Sequence, residues 1–323
     1  METPRDPNAR PGLASHTPDT RLGTIAMLTC VLAWTTSPPF MKYFSTVIDL
    51  WTSNGWRYGA GAIAFLPWTI LAVRRGQMPW RVWKLTLIPA VVNTVGATFF
   101  LASLYHDIEP AFSMLCLRSQ VVFATLAAVI WFADERRVIR SRPFLFGMLM
   151  VLGGTATAVF LGNESTGGVR STGILLLLIG AALFGIYGAV ARKYLHGVPS
   201  MAVFGGVVTW KGIFMVALMV VFGERGGLSA LDVEPNLWWI LILSGIVGVT
   251  VGHGLYFVAI KHIGVALSHG MMELQPFLVA IVSYYLRDEK LTLGQWTGGL
   301  CAIGGVLLML SVKQRLRHPA VEK

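Results

Sequence analysis

The chain has 323 residues, 54% of them hydrophobic and only 13% charged, with a formal net charge of +10. Soluble globular chains carry about a quarter of their residues as charges, so an ordinary soluble domain is excluded. The basic excess would suit nucleic acid, but it falls in short clusters between long uncharged runs, and a continuous basic surface is excluded too.

The first residues, METPRDPNARPGLASHTPDT, are polar and rich in proline. They predict a disordered cytoplasmic N-terminus over 1–20, with no secretory signal. A helix needs ~20 apolar residues to cross the hydrocarbon core. About ten such runs follow, at 22–41, 50–73, 84–105, 110–132, 143–162, 172–191, 201–222, 237–260, 265–286 and 293–312. They are too long for strands and do not alternate. The expected fold class is therefore all-α, a polytopic membrane protein with ten transmembrane helices. Cys30, Cys116 and Cys301 all fall inside these runs, which argues against a disulfide framework.

The basic residues set the orientation. One side holds Arg74, Arg75, Arg81 and Lys84, then Arg136, Arg137, Arg140 and Arg142, then Arg192 and Lys193, and both tails. The other holds Lys42, Arg170, Arg225, Arg287 and Lys290. The richer side is expected to be cytoplasmic, with both termini there.

Polar residues inside the runs are the candidate site. In chain order, WTTSPPF begins with Trp34 and holds Pro38 and Pro39, which free the carbonyls of Trp34 and Thr35. Its counterpart FGIYGAV carries Gly185 and Gly188, and both segments are expected to bend beside a cavity. Arg57, Arg118 and Lys211 are three intramembrane cations, and His253 lies between glycines in VGHGLYF. The run SHGMMELQP holds His269 and Glu273, which share a helix face. Glu273 is the one acid clearly within a run, and an intramembrane charge costs ~2.5–3.5 kcal/mol on the lenient insertion scale. Pro276 should bend the helix beside it. Three cations against one acid leave a positive core that suits an anionic substrate group such as a carboxylate. Asp134-Glu135 and Asp288-Glu289 read as solvated turns at run ends, and the sequon at Asn163 carries no weight.

The two halves align. SMLCLRSQVVF (113–123) meets SHGMMELQPFL (268–278), pairing Ser113 with Ser268, Gln120 with Gln275, and Arg118 with Glu273. Trp56-Arg57 meets Trp210-Lys211, and Gly147, Gly153 and Gly154 meet Gly298, Gly304 and Gly305. Five runs per half is an odd number, so the second half must enter from the opposite side, as an inverted repeat. If Arg118 and Glu273 both point inward, such an axis brings them together.

The halves also carry WFADERRVIRSRPFLFGMLMVLGG and YYLRDEKLTLGQWTGGLCAIGG, each an end-of-helix acid followed by glycines, and the first run carries LAWTTSPPFMKY. With these features residues 21–312 resemble the EamA family of the drug/metabolite transporter superfamily. That resemblance implies two EamA-like repeats, 21–162 and 172–312, an outer linker at 163–171 and a cytoplasmic tail at 313–323. It implies a secondary transporter of a small organic metabolite, amino-acid-like or otherwise anionic or zwitterionic, working by alternating access, as an exporter. The expected substrate-binding residues are Trp34, Arg57, Arg118, Gln120, Lys211, His253, His269, Glu273 and Gln275. No catalytic residue, metal or cofactor is expected. The expected partners are the substrate, the lipid bilayer and protons as a candidate coupling ion, with no nucleic acid; a monomer would suffice. A bacterial plasma membrane is the expected location. A membrane-embedded enzyme acting on a lipid-linked group, or a polytopic sensor, are the alternatives.

Overall fold

The computed structural model describes residues 19–132, 136, 139–161, 168–195 and 197–317. Most of the N-terminal tail, Asp134-Glu135, the sequon and the end of the C-terminal tail lie outside the described residues. Among those described, all regular structure is helical.

The first half runs α1 (Thr20–Phe44), α2 (Leu50–Arg74), α3 (Trp80–Tyr105), α4 (Pro110–Cys116), a 3₁₀ turn (Leu117–Ser119), α5 (Gln120–Trp131) and α6 (Arg142–Phe160). The second runs α7 (Gly168–Tyr194), α8 (Ser200–Phe222), a 3₁₀ segment (Glu224–Leu231), α9 (Pro235–Gly245), a π-helical turn (Ile246–Val251), α10 (Gly252–Met272), α11 (Gln275–Arg287) and α12 (Leu293–Arg317). α10 breaks at Gly264, where φ is +80°.

Helix starts are set locally. Asp49 caps α2 by accepting from the backbone N–H of Trp51 and Thr52, and Glu224 N donates to its other oxygen. Burial pushes the Asp49 carboxyl up, but hydrogen bonds from Thr52, Glu224 and Trp51 outweigh it and hold it below the usual carboxylate range. α4, α6, α9 and α11 each begin with proline in the first turn, where the missing N–H costs nothing.

Seven helical passages among the described residues are long and apolar enough to cross a membrane. They are α3, α4 with α5, α6, α7, α8, α9 through Gly264, and α12. The sequence reading expects ten. The passages below that threshold are α1, α2 and the one ending in α11, and these hold WTTSPPF, Asn54 with Arg57, and SHGMMELQP. α1 and α2 carry polar content that the bundle turns inward, and the third passage is broken at Glu273-Leu274. Large apolar side chains cover the outside, Ile63, Ile130 and Phe160 among them.

Helix pairing follows the repeat. α6 packs chiefly on α12 and α2 on α8; α3 packs on α7 as α10 packs on α1; α5 packs on α7 as α11 packs on α1. A Cβ on Gly147 would meet Gly305 O at 2.9 Å, and one on Gly154 would strike Gly298 O. Gly147 aligns with Gly298 and Gly154 with Gly305, so each glycine touches the counterpart of the other. Antiparallel helices related by a two-fold axis make that exchange. Small residues let the two backbones approach this closely.

α1 is helical through Pro38 and Pro39, and α7 through Gly185 and Gly188. Gly185 lies against the Gln120 carbonyl and Ala124 N, which is close packing, while Gly188 faces open space. The helical pattern departs at Leu117–Ser119, at Ile246–Val251, at Gly264 and at Glu273-Leu274.

Candidate functional site

Arg118 occupies the 3₁₀ turn between α4 and α5. Glu273, its counterpart, occupies the turn between α10 and α11. Pro276 lacks the N–H that would bond Met272, and the helix ends there. Both side chains turn inward: Arg118 is 3% exposed and Glu273 is 7% exposed. Arg118 Nη1 lies 3.1 Å from Glu273 Oε1, and Arg118 Nε donates to the Met114 carbonyl. Glu273 Oε2 has no hydrogen-bond partner. Pairing offsets part of the desolvation cost of each charge, and the free oxygen leaves the carboxylate able to take a proton or a donor.

Gln275 donates from Nε2 to the Trp34 carbonyl at 3.3 Å. Pro38 has left that carbonyl without its helical donor, so a side chain of the second half replaces the lost bond. Trp34 Nε1 donates to Gly248 O at 2.9 Å within the π-helical turn, and its ring closes against Gly252. His253 stacks on Phe204 with centroids 5.4 Å apart and meets Trp34 edge-on at 4.8 Å. His269 shares a helix face with Glu273, but its Nε2 sits 3.0 Å from Tyr256 Oη. Trp34, Gln275, His253, Tyr256 and His269 thus form one layer beside the ion pair.

Arg57 and Lys211 form a second cluster. Arg57 donates from Nε to Ser244 Oγ at 3.0 Å and from Nη2 to Ser37 Oγ at 2.6 Å. Lys211 Nζ donates to Asn93 Oδ1 at 2.7 Å and stands 4.0 Å over the Tyr58 ring. Gln120, counterpart of Gln275, is half-buried at the start of α5 and enters neither cluster by a hydrogen bond among the described residues. No trio of metal-ligating side chains occurs among the described residues.

Sequence reasoning missed a third polar group, at the ends of the helices. Glu109 lies 3.8 Å from Lys42 Nζ and 3.3 Å from Arg287 Nε, and Lys42 also donates to the Leu104 carbonyl. Glu289 is no solvated turn. Its two oxygens accept from the backbone N–H of Ala111 and Phe112 at 3.0 and 3.1 Å, capping α4 from the other half. Asp288 is exposed, in the left-handed region at φ +54°, 3.3 Å from Lys290. The available signal was Glu109-Pro110, an uncapped helix start awaiting an anion. The opposite end carries a cleft of about 530 Å³ lined by Gln77, Pro79, Arg81, Lys193, Tyr194 and Pro199, among others.

Known proteins are similar to this chain. An uncharacterized transporter of Haemophilus influenzae is 21% identical over 286 residues, covering 86% of this chain and 93% of its own. A probable magnesium transporter of Arabidopsis thaliana, NIPA7, is 30% identical over 114 residues, 35% of this chain and 33% of its own. A crystal structure 17% identical in sequence matches the fold with a TM-score of 0.59 over 91% of this chain and 98% of that one. The model of the EamA-like transporter family matches twice, at residues 21–160 and 171–311. The chain, a multi-pass membrane protein, belongs to the EamA-like transporter family.

Proposed function

We propose that the chain is a secondary transporter that moves a small organic metabolite with an anionic or zwitterionic group by alternating access. In this reading ten helices cross the membrane as two inverted five-helix repeats, with both termini in the cytoplasm of a bacterial cell, and the direction is export. The observation that carries it is the Arg118–Glu273 pair, buried at equivalent positions of the two halves. A contact between symmetry mates is one that both halves must share. A substrate carboxylate that takes Arg118, or a proton that takes Glu273, would shift the balance between two arrangements.

The helix ends support the same reading. The Lys42–Glu109–Arg287 group and the Glu289 cap join α1, α4 and α11 at one face. At the other face Lys193 stands 5.0 Å over the Trp131 ring and borders the cleft. Ion pairs tie the helix ends at one face and a cleft lies at the other. The cation excess around Arg57, Arg118 and Lys211 argues against carrying magnesium.

Uptake into proteoliposomes tests the reading. A labelled carboxylate or amino acid should accumulate in vesicles holding the protein and exchange with internal solute. Turnover of lipid-linked substrates without solute flux would contradict it. For orientation, a cysteine replacing Asp107 should label from outside in whole cells, and one replacing Ile139 only after permeabilisation.

A further inference from the structure

Arg118 has an acid to pair with; Arg57 has none among the described residues. The ionisable groups that act most on Arg57 are Tyr58 and Tyr105, and those on Lys211 are Tyr58 and Arg57. No carboxylate stands among them. Arg57 is 2% exposed, yet its Nη1 has no hydrogen-bond partner. Asn54 lies one turn earlier on the same face of α2. It is fully buried, and neither its Oδ1 nor its Nδ2 has a partner. Two neighbouring buried cations repel, and each has lost hydration that only hydroxyls, an amide and aromatic rings replace. Buried donors left unpaired at such a place cost free energy that an acceptor would recover.

We propose that Arg57 and Lys211 flank a subsite for an anionic oxygen group of the transported molecule, a carboxylate or a phosphate, with Arg57 Nη1 and Asn54 Nδ2 as its open donors. The guanidinium supplies a planar fork and the ammonium a point charge. The Arg118–Glu273 pair is neutral as a unit and asks for no net charge. Obligatory anionic character is then set at Arg57 and Lys211, and the ion pair responds to occupancy. This assignment rests on the transporter reading and adds the substrate class to it.

The test uses the full chain in phosphatidylcholine nanodiscs, which present no anionic headgroup. Melting is followed with inorganic phosphate, with a series of mono- and dicarboxylates, and with the matching neutral amides and amines at equal ionic strength. The anions should raise the melting temperature and the amides and amines should not. Lys211→Met and Arg57→Gln should each weaken the anion effect about tenfold or more. If Arg57→Gln does not fold, Arg57→Lys and Lys211→Met carry the test, with partial and near-complete loss expected. Equal stabilisation by amides, no anion-specific shift, or an undiminished anion effect in Lys211→Met would each overturn the subsite. Uptake separates the two readings. Anion binding without flux contradicts the transporter and leaves the subsite; flux of a neutral solute untouched by Lys211→Met does the reverse.

Discussion

Arg118 and Glu273 are counterparts 155 positions apart in two halves of one chain, and their side chains meet at 3.1 Å. An axis that exchanges the halves exchanges these two residues, so their contact falls beside the axis. Opposite charges make that meeting favourable where a duplicated residue would repel itself.

The pair should contribute to folding as a unit. Removing one partner of a buried pair costs ~3–5 kcal/mol, because the other charge is left alone. Glu273→Gln and Arg118→Gln should each destabilise by about that much, and the double variant by less than either. A double-mutant cycle read by denaturation in detergent checks this; additive losses would mean that the pair is not coupled.

Pro38→Ala returns an N–H to the Trp34 carbonyl and displaces Gln275 Nε2 from it. Helix propensity alone favours alanine by ~3 kcal/mol at an exposed interior site, so the variant should be no less stable. Transport should slow, because α1 no longer depends on α11 for that bond. Pro38→Ala with Gln275→Ala should behave like Pro38→Ala alone when flux is measured.

Neighbouring glycines on α6 should differ sharply. A Cβ on Gly154 would strike Gly298 O and Ala302 N, whereas one on Gly153 meets nothing within 4 Å. Gly154→Ala should therefore lower the melting temperature, and Gly153→Ala should leave it or raise it by ~0.5–1 kcal/mol equivalent. Thermal denaturation of the two single variants decides.

Glu289 gives the protein a pH-dependent seam. Burial, and Glu109 nearby, raise its carboxyl above the ordinary 4.5 despite the hydrogen bonds from Ala111 and Phe112. The folded state therefore keeps this proton to higher pH than the unfolded state does. Stability should fall as pH rises from 4.5 through the raised value, since the folded state binds more protons across that window. Glu289→Gln keeps an acceptor for the α4 cap and should remove this part of the slope. Melting curves at stepped pH would show it, and an unchanged slope would contradict the assignment.

The sequence made some of this legible and hid the rest for physical reasons. Arg118 and Glu273 could be paired in advance, because an alignment of the halves fixes equivalence and burial leaves a charge few directions to face. At the double proline the loss of the Trp34 bond could be read, but not that Gln275, 241 residues away, replaces it. The π-helical turn at Ile246–Val251 left only Gly245, Gly248 and Gly252 as traces. Gly245 closes on the Arg57 backbone and Gly252 on Trp34. Glu289 looked solvated because a sequence does not say whose helix start lies opposite. The seven apolar passages fall short of ten because α1 and α2 hold interior polar groups and the run through SHGMMELQP is broken at Glu273-Leu274.

The central claim is that the Arg118–Glu273 contact is a switch and not only a brace. Flux of a transported carboxylate in proteoliposomes holding equal amounts of folded protein tests it most directly. The Arg118→Gln, Glu273→Gln double variant should fold but carry no substrate. Wild-type flux in that double variant would contradict the claim.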